Sequence, residues 1–304
     1  MPQVVRLDIL DSVDLETYIE ISERNIQRVS NRLDDYIKEP NEERIHDIRT
    51  AIRRLEATYL CLPKNLRKKK KIEDYVRSSK ALFRINSEVR DCDIILEKLS
   101  IDAQISQQNV FKSFERSLQR QRRTKLDKAL SIASQLRNLS IPNLSKQNIS
   151  QKRLKKRFGK VVSKFGNRIE KNFPLIISDS KKITELHELR KDCKKLRYVL
   201  ELLPDNSKNM GNKTYDNDIS QLIEKLEKIQ DMLGTIHDYD TTVAYLKGLR
   251  KGTKRRRSLI QQMIEKMTRA RQSRYEEFVQ HFKGYLTSKS LLDSKSYGVF
   301  FVNV

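Results

Sequence analysis

The side chains of this sequence best suited to chemistry come in repeated sets. Residues 45–63 read IHDIRTAIRRLEATYLCLP, and residues 186–204 read LHELRKDCKKLRYVLELLP. At one offset of 141 residues His46 matches His187, Arg49 matches Arg190, Arg53-Arg54 match Lys194-Lys195, and Leu62-Pro63 match Leu203-Pro204. On a helix turning 100° per residue, His46, Arg49 and Arg53 fall within roughly 60° of one another. Ile45, Ile48, Ile52, Leu55, Tyr59 and Leu62 occupy a separate apolar stripe. In the second copy His187, Arg190 and Lys194 take the charged face, and Leu186, Leu189, Cys193, Leu196, Leu200 and Leu203 take the apolar one. A guanidinium presents a planar fork of donors matched to phosphate oxygens, and an ammonium adds a mobile point charge. A neutral imidazole donates one more hydrogen bond, or gains charge as pH falls. Such a face suits capture of an oxygen-rich anion, and a merely solvated face has no reason to keep the histidine in phase.

A second pair of motifs follows. VRDCDIILEKL at 89–99 matches IHDYDTTVAYL at 236–246 at an offset of 147 residues, aligning Asp91 and Asp93 with Asp238 and Asp240. These carboxylates are expected to support the cationic side chains through charge-assisted hydrogen bonds, helix capping being the alternative. The run His237-Asp238-Tyr239-Asp240 has metal-ligand residue types, but Arg90 stands where His237 would recur, so no metal site is expected. Other cations share helical stripes. Arg24, Arg28 and Arg32 are spaced i, i+4, i+8; Lys80 and Arg84 are spaced i, i+4; Lys156, Lys160 and Lys164 belong to a basic run that begins at Lys152. The candidate polyanion-binding set is therefore Arg28, His46, Arg49, Arg53, Arg54, Lys80, Arg84, Arg90, Lys156, Lys160, Lys164, His187, Arg190, Lys194, Lys195 and Arg197. The runs Arg67–Lys71 and Lys254–Arg257 read as solvated helix ends.

These residues need helices to position them. Apolar periodicity predicts helices near 14–38, 42–62, 65–100 and 106–137, and again near 151–172, 181–203, 217–249 and 254–286. The expected fold is all-α, with two tandem pseudo-symmetric four-helix bundles. The first repeat spans 1–140, a linker 141–150, and the second repeat 151–304 with a C-terminal tail, YGVFFVNV. The change of offset requires a six-residue insertion in the second repeat, placed in the polar segment 205–218.

Composition agrees. There are 63 Lys+Arg against 40 Asp+Glu, a formal charge of +23 that repels itself unless a partner neutralises it. Eight glycines and six prolines in 304 residues leave few helix breakers. Three cysteines, Cys61, Cys92 and Cys193, form no CxxC pair and sit at apolar helical positions, so they read as core residues in a reducing compartment. No apolar run approaches membrane-spanning length and the N-terminus lacks a signal-peptide pattern, so a cytoplasmic location and no membrane partner are expected.

Together, His46-x-x-Arg49 with Arg53-Arg54, His187-x-x-Arg190 with Lys194-Lys195-Leu196-Arg197-Tyr198, Arg90-Asp91-x-Asp93, and Gln230-Asp231-x-Leu233-Gly234-x-x-His237-Asp238-x-Asp240 resemble the CHAD domain, the "conserved histidine α-helical domain". The similarity runs from about residue 14 to 286. It implies two pseudo-symmetric helical bundles that bind inorganic polyphosphate along a basic surface or pore, without catalysis, and that associate with polyphosphate granules. Relatives often carry a fused triphosphate-tunnel domain; its Glu-x-Glu-x-Lys motif is missing here, so the chain resembles the stand-alone form. Glu56 and Ala57 stand where the second repeat has Arg197 and Tyr198, which predicts a less basic first repeat at that end.

Other function classes fit less well. No GxxxxGK[ST] or GxGxxG occurs, and no nucleophile–base constellation recurs in both repeats, so neither an enzyme nor a cofactor is expected. Nucleic acid is the second-choice partner. The charge suits it, but aromatic residues make up only 7% of the chain and mostly fall at core positions, whereas single-strand binders present stacking rings. Polyphosphate needs no base readout, which suits a site built only of donors.

Overall fold

The computed structural model describes residue 10 and residues 12–100, 109–145, 147–204, 213–249 and 253–282. These residues are helical and contain no strand, as the all-α reading expects. The first half carries α1 (Leu15–Lys38), α2 (Glu42–Cys61), the single turn α3 (Lys64–Arg67), α4 (Lys70–Ser100) and α5 (Asn109–Arg137). The second carries α6 (Gln151–Ser178), α7 (Ile183–Leu200), α8 (Lys213–Gly248) and α9 (Lys254–Phe282). Of the insertion segment expected at 205–218, residues 205–212 lie outside the described residues, as do the N-terminal nine residues and the tail from 283 onward.

Local chemistry sets the helix ends. The Asp14 carboxylate accepts from Thr17 N at 2.8 Å and the Asn41 side chain from Arg44 N at 2.9 Å, each satisfying a donor left open at a helix start. Helix α2 stops at Leu62, which is extended (φ −60°, ψ 140°) because Pro63 follows it. The helix expected over 65–100 is broken at Lys68 and Lys69. The turn before the break is fixed by its own contacts: Leu66 is buried, and Arg67 Nε donates to Leu62 O at 3.1 Å. Helix α6 outruns its expected end at 172 and passes Pro174, whose ring is exposed while Phe173 and Ile176 continue the buried face. A proline on the solvent side leaves its carbonyl partner open to water, so the core face carries the helix on.

Each half packs its helices in sequence, α1 on α2, α2 on α4 and α4 on α5, then α6 on α7, α7 on α8 and α8 on α9. Between the halves like meets like. Helix α2 packs on its own counterpart α7, and α4 on its counterpart α8. A large apolar core runs through both halves, and a smaller one joins the far ends of α4, α5, α8 and α9 through Cys92, Phe114, Leu246 and Met263. All three cysteines are buried and unpaired, in agreement with their expected place in the core. Among the described residues no helix is long and apolar enough to cross a membrane.

The linker is tied down rather than loose. Leu144 and Ile149 are buried, and the Glu23 carboxylate on α1 accepts both Leu144 N and Ser145 N, the latter at 2.9 Å. Glu23→Ala strands both donors, so we expect it to lower unfolding free energy by about 1–3 kcal/mol in a urea titration, with helical circular dichroism unchanged.

Candidate functional site

Where the two halves meet, α2, α4, α7 and α8 enclose a cavity of about 440 Å³. Helix α2 contributes Arg49, Arg53 and Glu56; α4 contributes Lys80, Phe83, Arg90 and Asp91; α7 contributes Arg190, Lys191, Lys194 and Lys195; α8 contributes His237 and Asp238. Eight Lys and Arg side chains face three carboxylates here, so the positive charge is not neutralised from within. Because α2 meets α7 and α4 meets α8, the repeated residues converge from opposite walls: Arg49 with Arg190, Arg53 with Lys194, Asp91 with Asp238.

The two arginines of the repeat are the least satisfied donors in the cavity. Arg49 Nε and Arg190 Nε are each enclosed by protein, and neither has a hydrogen-bond acceptor. Burial, reinforced by Arg53, pulls the Arg49 guanidinium down to about 10. Burial also lowers Arg190, with Asp238 opposing it. Gly234 on α8 lies beside Arg190, where even a Cβ would meet Nε at an ordinary contact distance of 3.7 Å. The Phe83 ring carries the guanidinium groups of both Arg49 and Arg53, 5.5 and 5.2 Å from its centroid. Tyr198, which also lines the cavity, carries Arg54 and Arg197 at 5.7 and 4.4 Å, so both rings are already stacked on cations.

Lys194 is the most perturbed cation. Burial, then Arg53, Arg190, Arg49 and Arg197, pushes its ammonium down to about 6. Near neutral pH it is mostly unprotonated while the cavity is empty. The facing carboxylates are shifted as well: burial raises Asp91 and Asp238 above the usual carboxylate range, against the pull of Arg49 and Arg190 respectively.

The Asp-x-Asp motif divides its labour, because residues two apart point to opposite sides of a helix. Asp91 and Asp238 face the cavity; Asp93 and Asp240 turn inward. Arg122 Nε donates to Asp93 Oδ1, and Arg271 Nε donates to Asp240 Oδ1 at 3.0 Å. These pairs form a buried ionic layer between the two apolar cores: Val89 and Ala129 belong to one core, Cys92 and Leu118 to the other. None of the four aspartates is a helix cap. Asp240 also orients histidines. His187 Nε2 lies 3.2 Å from Asp240 Oδ2 and 2.9 Å from His237 Nδ1. A carboxylate cannot donate, so the proton that satisfies both contacts sits on His187 Nε2, and His237 Nδ1 accepts. His237 then carries its own proton on Nε2 and stays neutral, since burial and Arg190 hold its pKa near 3. Among the described residues no three His, Cys, Asp or Glu side chains are grouped to hold a metal ion.

Several expected site residues lie elsewhere. His46 is exposed, with Nδ1 3.8 Å from Asp47 Oδ1 and no part in the cavity. The physical reason is Arg90. It stands where His237 would recur, reaches Glu42 at 3.4 Å and Glu97 at 3.9 Å, and leaves His46 no ring partner. Arg197 is not a free cation, as it pairs with Glu201 at 2.7 Å and Glu227 at 3.4 Å and lies over Tyr198. Arg54 meets the same Glu201 at 3.2 Å, linking the halves. Arg28 and Arg84 are exposed outside the cavity. Lys156 and Lys160 line a separate groove, and Lys164 lies over the Phe165 ring. Within the cavity Glu56, the counterpart of Arg197, pairs with Lys80 at 3.3 Å.

Other residues carried no usable signal in the sequence. Arg122 and Arg271 follow their aspartates by 29 and 31 residues, so no single offset aligns them. Lys191 reaches the cavity although its counterpart is Thr50. Phe83, which the sequence did not single out, packs against the large core and also walls the cavity.

Comparison with known proteins decides the family. A family model for the CHAD domain matches residues 20–247. The chain belongs to the CHAD family. A solved structure, the crystal structure of the CHAD domain from the plant Ricinus communis, aligns with a TM-score of 0.60 at 15% identity, covering 88% of this chain and 90% of that one. At that identity the likeness establishes the fold. No curated protein matches this CHAD chain.

The lowered pKa of Lys194 has a consequence with a definite sign. Between about pH 6 and 10.5 the unfolded chain holds a proton that the folded one has lost, so this group's contribution makes stability rise with pH in that window. We expect Lys194→Met to be more stable than the parent by about 1 kcal/mol or more at pH 7. The gap should narrow as pH is raised toward 10, as read from urea midpoints.

Proposed function

We propose that this CHAD protein is a non-catalytic receptor for a linear phosphate polymer, inorganic polyphosphate, held in the cavity between its two halves. One observation carries the reading: eight Lys and Arg side chains, among them the equivalent Arg49 and Arg190 from facing helices, line one cavity against three carboxylates. An incoming phosphate chain would supply the counter-charge these side chains lack, through charge-assisted hydrogen bonds to their guanidinium and ammonium groups. Arg53, Lys80, Lys191 and Lys195 supply further charge, and His237 a neutral donor. Binding raises the pKa of Lys194, because an anion stabilises its charged form. A proton is therefore taken up, and the empty cavity avoids part of its own repulsion by leaving Lys194 neutral.

Nucleic acid fits this site less well than polyphosphate. A base would seek a bare aromatic face, while Phe83 is already covered by Arg49 and Arg53, and Tyr198 by Arg54 and Arg197. An unbranched phosphate chain has no base to accommodate. The granule association and location implied by the family would follow from such binding.

The test is a titration of labelled long-chain polyphosphate at near-physiological salt, challenged with single-stranded DNA, duplex DNA and RNA. Nucleic acids should displace it only at far higher phosphate-equivalent concentration; equal competition would reduce the protein to a generic polyanion binder. Arg49→Gln/Arg190→Gln should weaken both polyphosphate and tripolyphosphate at least tenfold with helical content retained. Unchanged affinity for both would overturn the cavity assignment. Calorimetry in buffers of different ionisation enthalpy should show proton uptake near pH 7.5, absent in Lys194→Met.

A further inference from the structure

A second cationic recess lies beside the cavity, and the sequence did not join its two walls. One wall is the turn after α2, with Lys64, Arg67 and Lys68; the other is the start of α6, with Arg153, Lys156, Arg157 and Lys160. The recess measures about 580 Å³, and among the described residues no carboxylate lines it. Its two deeper guanidinium groups are held in place by main-chain carbonyls. Arg157 Nε donates to Leu60 O at 2.8 Å and Arg67 Nε to Leu62 O at 3.1 Å. Each arginine spends its Nε on the protein and keeps its outer fork. Burial and the nearby Arg67 charge lower Arg157, so the pair is crowded against its own repulsion, with no carboxylate among the described residues that line the recess.

The recess and the cavity share a wall. The Leu60 side chain lines the cavity, while its carbonyl anchors Arg157 in the recess. Cations also mark the way between them: Lys195 lines the cavity and reaches over the Phe165 ring at 5.8 Å, where Lys164 lies at the same distance. From Lys164 the stripe Lys160 and Lys156 continues along α6 for about 12 Å, the rise of eight helical residues.

We infer that the recess formed by α6 and the turn after α2 is an extension site, taking the part of a phosphate polymer that emerges from the cavity past Leu60 and Lys195. The inference rests on the cavity reading above, since the cavity is the end at which the polymer is anchored. A ligand short enough to fit the cavity does not reach the recess; a long chain touches both. Affinity therefore depends on polymer length through residues that never meet a short ligand. The unbranched phosphate chain is the source of negative charge that suits both places.

The experiment compares tripolyphosphate with long-chain polyphosphate on the full chain carrying Lys64→Gln, Lys68→Gln, Lys156→Gln and Lys160→Gln. All four lysines are exposed, so the variant should fold as the parent does. We expect long-chain affinity to fall about tenfold or more, and the slope of log affinity against log salt to shrink by roughly 3, near 0.7–0.9 for each charge removed. Tripolyphosphate affinity should stay at the parental value. Parental long-chain affinity and slope would overturn the extension site while leaving the cavity reading intact, as would an equal loss for both ligands. Failure of the cavity reading has a different signature: the Arg49→Gln/Arg190→Gln variant then keeps its tripolyphosphate affinity.

Discussion

The rest of the structure depends on keeping Arg49, Arg53, Arg190 and Lys194 close together and away from water. Like charges a few ångströms apart repel strongly once the surroundings are less polar than bulk solvent, and burial penalises each charge separately. The protein meets this in three ways. Asp91 and Asp238 stand beside the two arginines, Phe83 offers its ring to two guanidinium groups, and Lys194 gives up its proton. What remains unbalanced is a set of donors that an anion can satisfy.

Such a site needs rigid walls, and its support lies behind them. The Asp93–Arg122 and Asp240–Arg271 pairs separate two apolar cores and pin α4 to α5 and α8 to α9. Breaking one of these pairs would leave a charge in the interior, so they fix geometry even where their net stabilisation is small. Tyr18 and Tyr275 hydroxyls tie α1 to Thr58 O and α9 to Ile176 O, adding polar locks inside the packing. Arg54 and Arg197 converge on Glu201, so one carboxylate bridges the halves next to the cavity.

The two halves are related but not equivalent, and the differences follow from single residues. His237 in the second half gives His187 a ring partner and an inward position backed by Asp240. Arg90 in the first half reaches acidic neighbours instead, and His46 points to solvent. Arg197 is neutralised by Glu201 and Glu227 where the first half has Glu56, which is itself held by Lys80. The cavity thus repeats Arg49 as Arg190 but differs elsewhere, with Lys194 in place of Arg53 and His237 in place of Arg90.

The sequence alone determined the helices, their repetition, and the phase that sets charged faces apart from apolar stripes. These are local properties: periodicity, caps such as Asp14 and Asn41, and the stop at Pro63 depend on neighbours within a few residues. It also singled out Arg49, Arg53, Arg190 and Lys194, because two in-phase copies report a shared constraint. Only the tertiary structure decided which faces meet. Pairing α2 with α7 and α4 with α8 made one cavity from two half-sites, turned Asp93 and Asp240 inward, left His46 outside, and moved Lys156 and Lys160 into a recess with Lys64 and Lys68. Those outcomes rest on contacts between residues tens to more than a hundred positions apart, and helical periodicity carries no information about such pairs.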